Sequence, residues 1–301
     1  MTTVRSYSSP LAFKQALEQR LRNFCHSGAQ LPRTRQLLVF DRFLARLTAV
    51  LGDAVTLKGG LVLELRLDRA RTTKDVDVRM MGSPATTLAN LQRAGRLDLG
   101  DFMAFEVLPD RAHPDIQNDA LKYDGQRFQV ECKLASKLYG QPFGVDVAFG
   151  EPLFGDPDRI TAPDLLGFAG VAPPTLLVCP LETHIAEKLH AYTMPRSRPN
   201  SRVKDLPDLA LLATVRPIDA KRLRRALEQT FSFRATHSLP QAVPEPASAW
   251  ATPYATMARE DQLIWSDLRS VTDAVGRFLN PILGGMSGAT WEPEGWRWKR
   301  S

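Results

Sequence analysis

The chain reads as an α+β protein. A mixed sheet with helices is expected over residues 1–172, and a mainly helical C-terminal domain over residues 173–301. Three observations point this way. Short runs in which apolar and polar residues alternate, the period of a half-buried strand, fall in the first half. Apolar residues spaced three and four apart, the period of one helix face, dominate the second half. Pro173-Pro174 lies between them, and consecutive prolines suit neither a helix interior nor a central strand.

Taken in order, residues 10–50 predict two amphipathic helices. Leu11, Phe13, Ala16, Leu17 and Leu21 mark the first, and Leu37, Leu38, Phe40, Phe43, Leu44 and Leu47 the second. Gly59-Gly60 then opens a short apolar helix over 61–67, and a strand carries Asp75 to Val78. A helix over 86–94 leads into a strand over 102–108, and residues 127–134 and 144–149 alternate as two more strands. Beyond the prolines the pattern predicts helices over 181–192, 206–215, 220–231 and 257–279, with residues 237–253 as a long connection. Trp291, Trp296 and Trp298 are expected to pack back on the helical part rather than to face a ligand.

Composition sets bounds. At 301 residues, 44% hydrophobic and 24% charged, the chain is that of an ordinary globular protein with room for about two domains. The longest apolar stretch, Leu165 to Leu181, is broken by Pro173, Pro174 and Pro180, so no membrane span is expected and a cytoplasmic location follows. Cys25, Cys132 and Cys179 form neither a disulfide framework nor a metal knuckle. The formal charge of +6 is modest, but nine basic residues against three acids lie between Arg196 and Arg225, which suits a polyanion or a solvated helix face.

The most informative stretch is Leu57-Lys58-Gly59-Gly60 followed by Arg71-Thr72-Thr73-Lys74-Asp75-Val76-Asp77-Val78. Alternate strand residues share a face, so Asp75 and Asp77 project together while Val76 and Val78 enter the core. Two carboxylates on one face are hard oxygen donors suited to Mg²⁺, with Mn²⁺ as an alternative, and to a substrate's phosphates. The glycines let phosphate oxygens approach backbone N–H groups at the start of a helix. Asp146, on a strand whose Val145, Val147 and Phe149 face inward, is the candidate third carboxylate, with Glu131 as its rival. No phosphate-binding G-x-x-x-x-G-K-[ST] loop, G-x-G-x-x-G, G-x-S-x-G or H-E-x-x-H is present. The five histidines, including His184 and His190, show no metal-ligand spacing and read as structural or substrate-facing.

The order Lys-Gly-Gly, then Arg-x-Thr-x-Asp-x-Asp, then Glu187-Lys188-Leu189-His190-Ala191, then Arg202-x-Lys204-Asp205-x-x-Asp208-Leu209 resembles the AbiEii/AbiGii nucleotidyltransferase toxins of type IV toxin–antitoxin systems. These include the MenT-like toxins and belong to the polymerase-β-like superfamily. The resemblance runs from about Leu57 to Leu212 and departs in one respect. Gly60 stands where the wider superfamily has a serine, leaving the phosphate contact to backbone N–H groups or Thr73.

The resemblance implies a polymerase-β-like core and a catalytic set of Asp75, Asp77, Lys188 and Asp205. It further implies a nucleotide site at Lys58, Gly59, Gly60, Thr73 and Lys188, and a metal site at Asp75, Asp77 and Asp146. The implied activity is transfer of nucleotides from an NTP to the 3′ end of tRNA with release of pyrophosphate, blocking aminoacylation. A cognate antitoxin would silence it, and phosphorylation at the Thr73 position is one implied route. A protein or small-molecule hydroxyl as acceptor, and a non-catalytic nucleotide- or RNA-binding module, are the alternatives.

Overall fold

The computed structural model describes residues 6–25, 28, 30–67, 73–112, 114, 125–195 and 202–300. Arg71, Thr72, Arg196 and Arg198 of the sequence motifs lie outside the described residues. The chain opens with two helices, α1 (Pro10–Phe24) and α2 (Leu31–Leu51). Ser9 caps α1 by accepting from the Ala12 N–H at 3.3 Å, and Pro10 occupies the first turn, where a missing N–H costs nothing. Phe13, Leu17 and Leu21, each four apart, are the buried face of α1.

Then come β1 (Val55–Lys58), α3 (Gly60–Arg66), β2 (Val76–Met80), α4 (Thr87–Gly95), β3 (Met103–Pro109), β4 (Gly125–Leu134), β5 (Lys137–Leu138), β6 (Phe143–Phe149), β7 (Asp158–Thr161) and β8 (Thr175–Val178). Among the described residues these strands form one mixed sheet in the order β3-β4-β6-β2-β1-β8-β7, with β5 paired to β4. The β2–β6 and β1–β8 pairs are parallel, and the others are antiparallel. Val76, Val78, Val145 and Val147 are fully buried in one cluster with α1, α2 and α4. The opposite face of β1, β2 and β6 is therefore the one left to polar residues.

The second half holds α5 (Leu181–Thr193), α6 (Asp205–Leu212), β9 (Ile218–Asp219), α7 (Ala220–Arg234), α8 (Ala251–Glu260), α9 (Leu268–Leu283), β10 (Ala289–Glu292) and β11 (Arg297–Arg300). Its helices share a second core, which Leu63 of α3 joins. Trp291 is fully buried there, donating to the Ala213 carbonyl at 2.8 Å, and Trp298 donates to the Phe278 carbonyl at 2.8 Å. The tail thus packs back through a small sheet, β11-β10-β9.

Three sequence expectations shift. Strand β8 lies beyond Pro173-Pro174 yet pairs with β1 and β7, so the large sheet continues past that point and the helical part begins at Leu181. The helix expected over 257–279 is two helices, and α8 begins inside the expected 237–253 connection. The break follows from Gln262 at φ +52° and from Asp267, whose carboxylate accepts from the Ser270 N–H at 2.8 Å and starts α9 afresh. Finally, β2 begins at Val76, so Asp75 precedes the strand rather than lies on it.

Candidate active site

Register brings the charged residues into line. Lys58 of β1 lies opposite Asp77 of β2, Asp77 opposite Asp146 of β6, and Asp146 opposite Arg127 of β4. Directly opposed residues share a face and neighbouring strands run roughly 5 Å apart, so this row of alternating and repeated charge crosses four strands. Arg127 holds Asp146 bidentately, at 2.6 and 2.7 Å. Asp77 rests against Gly59, and Asp75 reaches Gly144 of β6. Either glycine, given a β-carbon, would collide with its carboxylate.

Thr73 is positioned from two helices. Its N–H donates to Glu64 Oε1 at 2.7 Å, and its carbonyl accepts from Arg33 at 2.7 Å, while Arg33 also pairs with Glu64. Its hydroxyl makes a long 3.5 Å contact to the Asp75 carbonyl, which leaves it available to a ligand.

The helical half closes the cleft from above the row. Lys188 of α5 pairs with Asp208 at 2.6 Å and with Asp205 at 3.4 Å, and both carboxylates are fully buried in α6. The spacing of Lys204-Asp205-x-x-Asp208 puts both acids on one face of α6. Lys58 pairs with Glu151, and with Glu187 at 3.6 Å. Arg234, at the end of α7, reaches Glu151 at 2.5 Å and Glu187 at 3.8 Å. This network ties the sheet to α5 and α7.

The electrostatics follow from burial and crowding. Burial raises the Asp77 carboxyl above its ordinary range, and the charge of Asp146 adds to this, against the pull of Lys58. Burial likewise raises Glu187, helped by the charge of Glu151. Burial works against ionisation of Glu151 as well, but Lys58 and Arg234 outweigh it and hold that carboxyl low.

One cleft of about 350 Å³ gathers Lys58, Gly59, Gly60, Thr73, Asp75, Asp77, Asp146, Lys188 and Asp205, every site residue expected from the sequence. It is also lined by Arg127, His184, Glu187, His190, Arg202 and Arg234. Glu131 faces Glu106 across β3 and β4 and is not part of the cleft. Among the described residues no three His, Cys, Asp or Glu side chains form a ready-made metal site. The donor chemistry nevertheless suits a cation: hard carboxylate oxygens crowd together, and Asp77 is destabilised by a neighbouring charge that a cation would relieve.

The sequence reading missed Arg127, Glu151 and Arg234, which carry no local motif, and gave Glu187 no role although it opens the Glu187-Lys188-Leu189-His190-Ala191 motif. Asp208, which the sequence places in the C-terminal motif without a role, is the shorter contact of Lys188.

The chain is a nucleotidyltransferase. The sequence profile described as nucleotidyl transferase AbiEii toxin, type IV toxin–antitoxin system, matches residues 42–277, and the chain belongs to that family. Its fold is similar to that of MenT4, a nucleotidyltransferase toxin from Mycobacterium tuberculosis, with a TM-score of 0.56 at 15% identity, covering 94% of this chain and 92% of that one. JHP933 from Helicobacter pylori matches at a TM-score of 0.45 and 15% identity, over 83% of this chain and 92% of that one. No curated protein is similar enough in sequence to match. Among the described residues no helix is long and apolar enough to cross a membrane.

Proposed function

We propose that this toxin transfers nucleotides from an NTP to the 3′ end of tRNA in a Mg²⁺-dependent reaction, blocking aminoacylation and translation. The observation that supports this reading is the gathering of Lys58, Gly59, Gly60, Thr73, Asp75, Asp77, Asp146, Lys188 and Asp205 in one cleft. These residues come from elements up to 147 positions apart in the chain.

Asp75 and Asp77 would hold Mg²⁺, and Asp146, held here by Arg127, would be the third carboxylate. The cation, when bound, neutralises phosphate charge and polarises the phosphorus under attack. Lys188 offers a compact ammonium to the triphosphate, oriented by Asp205 and Asp208. Gly59 and Gly60 leave backbone N–H groups uncovered, and the Thr73 hydroxyl adds a donor. Lys58, held by Glu151 and Glu187, balances the negative row from its far end. The exposed Lys221, Arg222 and Arg225 of α7 would meet the RNA backbone.

Membership of a type IV system implies a cognate antitoxin. We read Thr73 as a point where added negative charge would exclude the triphosphate, because phosphorylation brings about two charges into the cleft.

The deciding experiment incubates the protein with total tRNA, Mg²⁺ and each labelled NTP in turn. Label at the tRNA 3′ end that disappears with EDTA is the expected result. Label on protein, or none on any acceptor, would overturn the tRNA assignment.

A further inference from the structure

We propose that His184 is a phosphate-binding residue of the nucleotide site, its imidazole N–H donating to the triphosphate from the first turn of α5. The inference rests on the reading of the cleft as an NTP site.

The side chain of His184 is buried, at 1% exposure, yet it lines the cleft beside Lys58, Gly59, Gly60 and Lys188. Neither ring nitrogen has a hydrogen-bond partner among the described residues. Leaving a buried polar group unpaired is costly, and the large majority of such groups in native proteins are paired. His190, two turns along the same helix and equally buried, shows the contrast. Its Nε2 meets the Thr236 hydroxyl at 2.8 Å and its Nδ1 faces Arg234 at 3.4 Å. His190 is accounted for by the fold. His184 is not.

The surroundings say what would satisfy it. Lys188 on α5, Lys58 on β1 and Arg66 on α3 act on the ring as cations, against Asp208 on α6. Burial, and after it the charge of Lys188, keeps the imidazole neutral, so the ring has one N–H to give and one lone pair to receive. Lys58, Lys188, Arg202 and Arg234 line the same cleft, and an anionic partner of the ring would lie among these cations. Gly59 and Gly60, on the same wall, bring no side-chain donor to such a partner, and His184 supplies one.

The test measures binding to the full-length protein in Mg²⁺ by calorimetry, with ATP, GTP, CTP and UTP in turn and with inorganic tripolyphosphate. Wild type is compared with His184→Phe and His184→Gln. His184→Phe should weaken the NTP and tripolyphosphate alike by about tenfold, the worth of a hydrogen bond to a charged group. Gln restores an N–H and should recover most of the loss. In turnover the loss should fall on KM for NTP with kcat little changed. Unchanged binding in His184→Phe, or weakening of NTP without weakening of tripolyphosphate, would overturn the proposal while leaving the cleft an NTP site. Failure of wild type to bind any NTP would remove the reading on which it rests. Should His184→Phe not fold, ring nitrogen shifts of His184 in the wild type on adding tripolyphosphate decide the matter, and unmoved shifts would overturn it.

Discussion

Gly59 and Asp77 are packed so closely that a β-carbon on Gly59 would lie 2.0 Å from Asp77 Oδ2. Gly59 also has φ +70°, which side-chain-bearing residues adopt at a cost. Both facts place the turn between β1 and α3 directly against the carboxylate. Gly59→Ala should therefore displace Asp77 and abolish transfer, with a stability loss on the order of 1–3 kcal/mol. Transfer assays beside thermal unfolding check it, and an active Gly59→Ala would show that Asp77 need not sit where it does.

Asp77→Asn separates metal binding from folding. Burial and the charge of Asp146 raise the Asp77 carboxyl, so ionising it costs the folded state. A carboxyl raised in the native state contributes stability below its unfolded pKa, and that contribution is lost as pH rises through the folded value. At neutral pH the amide should be as stable as wild type or more so, while transfer falls at least a hundredfold. Asp75→Ala should lose transfer to a similar degree. Chemical denaturation at pH 7 and initial rates provide both readouts.

Lys188 does more than meet phosphates. Asp205 and Asp208 are fully buried, and removing Lys188 takes away the 2.6 Å partner of Asp208 and leaves Asp205 facing Arg202 at 3.8 Å. Lys188→Ala should thus cost about 3–5 kcal/mol of stability as well as activity. Lys188→Met combined with Asp208→Asn should recover much of the stability and none of the transfer. A double variant no more stable than Lys188→Ala would place the structural role elsewhere.

Asp41 offers a pH signature remote from the cleft. Burial, augmented by the charge of Asp101 and opposed by Arg42, raises its pKa from 3.8 to about 7. Stability tied to its protonation is full below pH 4 and lost progressively up to about pH 7. Asp41→Asn escapes that loss, so its advantage over wild type should grow across this window and level off above it. The ceiling is about 4 kcal/mol, from roughly three pKa units. Equilibrium unfolding at pH 5 and pH 8 measures it, and an advantage independent of pH would contradict the assignment.

The basic run divides into two kinds of residue. Arg224 is engaged with Glu228 at 2.6 Å and with the carbonyls of Ile282 and Leu283, so neutralising it should mainly loosen the packing of α7 on α9. Lys221, Arg222 and Arg225 are exposed. Their combined replacement by Gln should weaken tRNA binding and lower the salt slope by about 2–3 units, without changing NTP binding. A slope unchanged by this replacement would move the RNA path off α7.

Local periodicity determined much of this protein. The two-residue period that buries Val76 and Val78 sends Asp77 to the opposite face whatever the rest of the chain does. The four-residue spacing of Phe13, Leu17 and Leu21 likewise required an amphipathic helix. Asp75 and Asp77 were legible from their own spacing, whereas Lys188 and Asp205 were legible only through the resemblance of their motifs to the AbiEii family. The helix break near residue 262 was not, because the apolar spacing continues across it and the backbone is interrupted only by Gln262 at positive φ and by the Asp267 cap. The partners of the site were decided by tertiary structure alone. Lys58 meets Glu151 across 93 positions, Arg234 meets Glu151 across 83, and Arg127 faces Asp146 only because β4 and β6 pair in that register. A sequence states which face a side chain takes, since that depends on its neighbours in the chain. Which charge it meets there depends on strand register and helix packing, and burial of two whole cores sets those.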